Sequence, residues 1–147
     1  MEMTKNKVAV ITGGGSGIGF AIAEKFVQNN IRSVIVGRDQ QKLDEAKNEL
    51  GELCDSFSCD LSNLDKIPKL VSKIISKHEQ IDILVNNAGI NMKKDFTEVT
   101  DEEFQKILLT NVTAVFALSR EVVKHMLQKG KGNIINISSM ASQYGLP

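Results

Sequence analysis

Thr12-Gly13-Gly14-Gly15-Ser16-Gly17-Ile18-Gly19 is the stretch on which the reading of this chain turns. Residues 8–12 before it form a short β-branched run that reads as a strand, closed by the three glycines. After it, Ile18, Ala21, Ile22 and Phe26 recur at helical spacing, which predicts a helix to about Asn29. A strand that enters a helix through glycines leaves the first backbone N–H groups of that helix unsatisfied and partly positive, a setting that suits a pyrophosphate. Glycines let the backbone approach such an anion closely. The spacing is GxxxGxG rather than GxGxxG, and the Lys-Ser/Thr of a P-loop is missing. The same glycines would also serve a merely flexible loop, or close helix–strand packing.

Outward from the loop the same alternation repeats. Residues 33–36 read as a second strand. Asp39 is a suitable N-cap for a helix whose Leu43, Ala46 and Leu50 share one side before Gly51 stops it. Residues 57–61 read as a third strand. A helix starting near Pro68 carries the stripe Ile67, Leu70, Val71, Ile74 and Ile75. Residues 81–85 read as a fourth strand buried on both faces. Thr100-x-x-Glu103 is a capping box that opens a long helix to about Lys129, ended by Gly130 or Gly132. Residues 133–138 complete five strands. Strand–helix alternation predicts an α/β fold, a doubly wound Rossmann-type parallel sheet ordered 3-2-1-4-5 over residues 1–147. Ligands of such sheets lie beyond the strand C-termini, at the switch between strands one and four.

Composition agrees with a globular chain: 147 residues, 41% hydrophobic and 24% charged, form one domain rather than two. Eighteen basic residues balance eighteen acidic ones, so no net positive field favours nucleic acid or an anionic membrane. No segment reaches the ~18 apolar residues of a membrane span, and the first apolar run is too short for a signal peptide. Cys54 and Cys59 fit neither a redox CxxC nor a zinc pattern and read as reduced thiols of a cytoplasmic protein, so no metal is expected. His78 and His125, with polar or helical neighbours and no matching carboxylate, read as solvated.

The end of strand two should touch the adenosine ribose of a dinucleotide. An acid there would accept from the 2′-OH and repel a 2′-phosphate, whereas Gly37-Arg38-Asp39 offers a guanidinium fork suited to phosphate. NADP(H) is therefore favoured. NAD(H) follows if Arg38 is simply a solvated residue and Asp39 reaches the ribose.

Further signatures stand at strand ends. Asp60-Leu61 follows strand three, Asn86-Asn87-Ala88-Gly89 follows strand four, Asn111 lies in the long helix, and Asn133-Ile134-Ile135-Asn136-Ile137-Ser138-Ser139 closes strand five. Together with the glycine loop they resemble the short-chain dehydrogenase/reductase family over essentially the whole chain. The resemblance implies an NAD(P)-dependent oxidoreductase that moves hydride between cofactor and a ketone or secondary alcohol. It implies cofactor contacts from Thr12, Gly13, Gly15, Ser16, Gly17, Ile18, Gly19, Arg38, Asp60, Leu61, Asn87, Ala88 and Gly89. Asp60 would meet the adenine, Asn87-Ala88-Gly89 the ribose side, Thr12 would tie strand one to the Asn86-Asn87 turn, and Asn86 would steady the sheet. Asn-Asn-Ala-Gly is also a plain turn sequence. Catalytic roles fall by likeness to Ser139, which would hold the substrate oxygen, and to Asn111, which would help hold a water in a proton relay. Asn111 also suits a structural hydrogen bond to backbone, and Ser138 is the alternative to Ser139.

The family's Tyr-x-x-x-Lys is missing. Tyr144, the only tyrosine, has no lysine four residues on and stands too close to Ser139, so it reads as a loop residue. The chain is therefore expected to be the N-terminal part of a longer enzyme, inactive alone. A dinucleotide-binding fragment without catalysis is the alternative. Its long helix carries two apolar stripes, Ile107, Asn111, Val115, Leu118, Val122 and Leu109, Val112, Phe116, Val123, Leu127. One can cover the sheet. The other requires a further helix, a second subunit (the family commonly pairs this 101–129 helix in a homo-oligomer) or ordinary core. Substrate or partner contacts are expected from residues 91–99, and the substrate as a 3-oxoacyl thioester or a sugar acid or polyol.

Overall fold

The computed structural model describes residues 7–140 and Gln143, so the expectation for Tyr144 lies outside the described residues. Elements run β1 (Val8–Thr12), α1 (Gly17–Gln28), β2 (Arg32–Gly37), α2 (Gln40–Leu50), β3 (Cys54–Ser58), α3 (Ile67–His78), β4 (Ile83–Asn86), α4 (Asp101–Leu108), α5 (Ala114–Lys129) and β5 (Asn133–Asn136). All four ladders are parallel, and the sheet is ordered β3-β2-β1-β4-β5. This is the doubly wound order read from the alternation.

Strand pleating sends alternate residues to opposite layers. Val8, Val10, Val34, Val36 and Leu84 pack against Leu70, Ile74, Leu118 and Val122 of α3 and α5. Ala9, Ile11, Ile35 and Val85 pack against Ala23, Leu43 and Ala46 of α1 and α2. β1 is buried at every position, as a central strand covered on both faces must be. Ser33 Oγ donates to Ala23 O at 3.0 Å, which satisfies a buried hydroxyl and pins α1 to β2.

Several expectations are corrected. The third strand is Cys54–Ser58, not 57–61, because its polar residues hid it: Asp55 is buried among cations rather than apolar groups. The fourth pairs only over Ile83–Asn86. Asp82 precedes it, accepting from Val8 N with Oδ2 and donating its own N–H to Val8 O, both at 2.8 Å. The long helix is not continuous, since a π turn at Leu109–Thr113 separates α4 from α5. The wider turn rotates α5 about its axis relative to α4, so the face on the sheet is Ala114, Ala117, Leu118, Val122 and Met126. Of the first expected stripe only Leu118 and Val122 are buried, and Asn111 is exposed. On the second, Val112, Phe116 and Leu127 are exposed. β5 pairs over Asn133–Asn136 rather than to residue 138, as an exposed sheet edge.

The histidine readings are also corrected. The His78 side chain is buried, with Nε2 3.4 Å from Asp55 Oδ2, a carboxylate 23 residues away in sequence that only folding brings near. The Nε2 of His125 is buried too. Around Asp55 stand Lys77 Nζ at 2.7 Å, Lys47 Nζ at 3.4 Å and Arg32 Nη1 at 3.5 Å. The cluster ties β2, α2, β3 and α3 together at the sheet end opposite the glycine loop. Burial works to raise the Asp55 pKa, but the hydrogen bond and charge of Lys77, helped by Lys47 and His78, outweigh it and hold the carboxyl below its ordinary range. His78 is lowered, by burial first, with Asp55 opposing and Arg32 and Lys77 adding.

A depressed pKa means the unfolded chain binds more protons, so the stabilisation is present above the unfolded pKa and is lost as pH falls through the folded one. His78 therefore withdraws stability as pH drops below about 6.5, and Asp55 as it drops below about 3.8. Unfolding free energies from urea titrations will fall with pH in both windows, by at most ~1.4 kcal/mol per pH unit and proton. His78→Gln will flatten the upper window and leave the lower one. An unchanged upper slope would refute the assignment. Cys54, beside Asp55, is pushed up to about 11 by burial and by the Asp55 charge, so it stays a thiol, and both cysteines are unbridged.

Candidate functional site

The chain runs outward through β1, β2 and β3, then crosses back to β4, so the loops after β1 and β4 part at the C-terminal edge of the sheet. A cleft of about 390 Å³ opens there. Gly13, Gly15 and Ser16 line it after β1, Gly37, Arg38 and Asp39 after β2, Cys59, Asp60 and Leu61 after β3, and Asn87, Ala88, Gly89 and Ile90 after β4. Residues spread over about eighty positions of sequence converge because every parallel strand ends at the same edge.

Thr12 organises the parting point. Its hydroxyl donates to Val85 O at 3.4 Å and accepts from Asn87 N at 3.0 Å and Ala88 N at 2.9 Å. Asn87 returns the link, its Nδ2 donating to Thr12 O at 3.1 Å and Gly13 O at 3.4 Å. Asn86 Nδ2 donates to Asn136 Oδ1 at 2.9 Å and Ser119 Oγ at 3.1 Å, which joins β4 to β5 and α5.

Two glycines are required by this packing. Gly13 has φ +68°, and a Cβ there would lie 3.0 Å from Asn87 Nδ2. At Gly19 a Cβ would collide with the Gly13 carbonyl oxygen and stand 2.6 Å from Asn87 Nδ2. The close-packing role is thus filled at Gly19, which is buried and does not line the cleft. Thr12 lies beneath the cleft, and Gly17 and Ile18 begin α1 beside it, with Ile18 exposed.

The loop fits an anionic group. Ser16 is the N-cap of α1 but its hydroxyl caps no amide, and the first turn carries no acidic residue. The N-terminal donors and the positive end of the helix dipole are therefore left for a ligand. Asp39, by contrast, caps α2, accepting from Lys42 N at 3.2 Å. Asp60 Oδ1 accepts from Ser62 Oγ at 2.7 Å and Ser62 N at 3.0 Å, and these bonds, with the charges of Arg38 and Lys66, outweigh its burial and hold its carboxyl below the usual range.

Asn111 and Ser139 do not line the cleft. The Asn111 amide is committed to one partner, with Oδ1 accepting from Ile90 N at 2.9 Å and Nδ2 donating to Ile90 O at 2.8 Å. It clamps the loop after β4 to the π turn, and Thr110 beside it does reach the cleft. Ser139 stands exposed just past β5. Sequence reasoning missed Lys42, Ser62, Ile90 and Thr110 as lining residues. For Lys42 the signal was available, since it lies in the first turn of the helix that Asp39 was expected to cap, four residues after Arg38. Among the described residues no cluster suits a metal, and no helix is long and apolar enough to cross a membrane.

Comparison with known proteins agrees with this geometry. The family model described as short chain dehydrogenase matches residues 7–147. A 3alpha-hydroxysteroid dehydrogenase of Mediterraneibacter gnavus is 41% identical over 150 residues, which cover 99% of this chain and 60% of that protein. Among solved structures, an actinorhodin polyketide ketoreductase with NADPH superposes at TM-score 0.93 with 32% identity, over 99% of this chain and 58% of that one. A 3-ketoacyl-(acyl-carrier-protein) reductase from Brucella melitensis complexed with NADH superposes at 0.91 with 34% identity, over 97% and 61%. The chain thus spans about 60% of the length of these relatives. By its glycine loop, its sheet order and the match from residue 7 to residue 147, the chain belongs to the short-chain dehydrogenase family.

Proposed function

We propose that this chain is the cofactor-binding part of an NADP(H)-dependent oxidoreductase that interconverts a ketone and a secondary alcohol. The observation that carries the reading is the cleft itself, where uncapped α1 amides, Arg38, Asp60 and the Asn87-Ala88-Gly89 turn meet at the switch point. The dinucleotide, when bound, supplies or accepts the hydride. Gly15, Ser16, Gly17 and Ile18 would hold its pyrophosphate through backbone N–H groups, while Gly13 and Gly19 let the loop pack against the Asn87 turn and Thr12 fixes its position. Arg38 would take the 2′-phosphate, Asp60 and Leu61 the adenine, and Asn87, Ala88 and Gly89 the ribose side.

Ser139, exposed just past β5, would donate a hydrogen bond to the substrate oxygen. Asn111 acts through Ile90, holding the loop that borders the cleft. The hydroxysteroid and 3-ketoacyl activities named for the relatives support a carbonyl or alcohol substrate, with a 3-oxoacyl thioester or a sugar acid or polyol as the classes to test. The exposed Val112, Phe116 and Leu127 support pairing of the 101–129 segment, α4 through the π turn to α5, with a second copy, and two unbridged cysteines support a cytoplasmic setting.

Calorimetric titration of the chain with NADPH and NADH tests the cofactor, with tighter NADPH expected; tighter NADH would overturn the Arg38 role. For the reaction, NADPH consumption with a ketone panel by the full-length protein is expected to fall at least ~100-fold in Ser139→Ala. Unchanged turnover in that variant would remove Ser139 from the mechanism.

A further inference from the structure

The adenosine end of the cleft holds four charges, Arg38 and Lys42 against Asp39 and Asp60. Neither carboxylate is free to leave. Asp39 is held at the N-cap of α2 by the Lys42 N–H. Asp60 is held by Ser62 and lies within electrostatic reach of Arg38. Arg38 and Lys66 both lie within electrostatic reach of Asp60, and Lys42 is the second cation that lines the cleft itself. With Lys42 the group is neutral. Without it, the cleft lining keeps one cation against two anions, with Lys66 acting on Asp60 from outside the lining, and attracts a ribose 2′-phosphate, which carries close to two negative charges, less strongly. Placement agrees: a Cβ on Gly15 would lie 3.7 Å from the Lys42 carbonyl carbon, so the first turn of α2 packs directly on the phosphate loop. Lys42, exposed, lines the cleft together with Gly15 and Arg38.

Resting on the cofactor reading above, we infer that Lys42 is a specificity-determining residue that, together with Arg38, selects the 2′-phosphorylated dinucleotide. A flexible ammonium on an exposed stem can follow a phosphate that the planar Arg38 fork engages from one side.

The test is titration of the full chain and its Lys42→Gln, Lys42→Arg and Arg38→Gln variants with NADP+, NAD+ and 2′,5′-ADP. Lys42→Gln is expected to weaken NADP+ and 2′,5′-ADP roughly tenfold, to leave NAD+ unchanged or tighter, and to make NADP+ binding less sensitive to salt. Lys42→Arg restores the preference. Retained NAD+ affinity in Lys42→Gln reports an intact fold. A Lys42→Gln protein that keeps the parent NADP+/NAD+ ratio while Arg38→Gln loses it overturns the inference and leaves the cofactor reading standing. Equal loss of both dinucleotides in Lys42→Gln also overturns it. A parent chain that binds NAD+ more tightly than NADP+, or binds neither, overturns both.

Discussion

Gly19→Val is expected to abolish dinucleotide binding and to lower stability by about 3 kcal/mol, the top of the range for overpacking a close-packed site. The added atoms would meet the Gly13 carbonyl oxygen and the Asn87 amide, both held in place. Asn87 Nδ2 is engaged with Thr12 O and Gly13 O, and Gly13 N donates to Val36 O at 2.7 Å. Backbone so anchored on two strands cannot move aside as a flexible side chain would. The loop must instead lift from the Asn87 turn, which takes the α1 amides away from the cleft. Urea unfolding and calorimetry with NADPH measure the two effects separately. Near-wild-type binding in Gly19→Val would show that the loop yields more easily than this packing implies. Gly17→Ala provides the contrast: a Cβ there has open space, so only the φ of +55° is strained. Its cost is expected at ~1 kcal/mol.

Asp55→Ala is expected to cost about 2–3 kcal/mol, or roughly 6–12 °C in Tm. The residue is 7% exposed and gathers Arg32, Lys47, Lys77 and His78. Deleting one partner of a fully buried pair costs more, about 3–5 kcal/mol, because the orphaned charge stays buried. Here the Lys47 and Lys77 side chains are 43% and 53% exposed, so both recover hydration and the cost is smaller. His78, almost fully enclosed, cannot do so, and without Asp55 its pKa moves further down. Asp55→Asn keeps the shape and still loses the charge, and is expected to recover less than half of the loss. Thermal unfolding of the two variants decides the matter. A loss below ~0.5 kcal/mol, the level of an ordinary surface substitution, would mean that the cluster contributes little.

Both predictions concern features of unequal visibility in the sequence. The glycine loop could be read directly, because strand, turn and helix are local patterns within about twenty residues, and so could the capping box at Thr100 and Glu103. Sheet order followed from alternation and crossover handedness, which are general to parallel sheets. The Asp55 cluster could not be read, since its members come from β2, α2, β3 and α3. For the same reason Asp55 broke the apolar pattern of its own strand and moved the expected β3 to the wrong residues. The π turn at Leu109–Thr113 was equally hidden: one wider turn changes which residues face the sheet without changing composition.

For the site, the sequence by itself determined which strand ends carry polar and glycine-rich loops, and these became the walls of the cleft. Local chemistry suffices there, because a strand C-terminus in a parallel sheet has only one place to go. Tertiary structure alone decided what each side chain is free to do. It committed the Asn111 amide to Ile90 and Gly19 to the underside of the loop, whereas the Asp39 helix cap, a local bond, was already legible in the sequence. It also brought Lys42 to the rim of the cleft. Hydrogen bonds and close contacts are made between elements distant in sequence, so a residue's remaining capacity for a ligand becomes visible only once its folded partners are known.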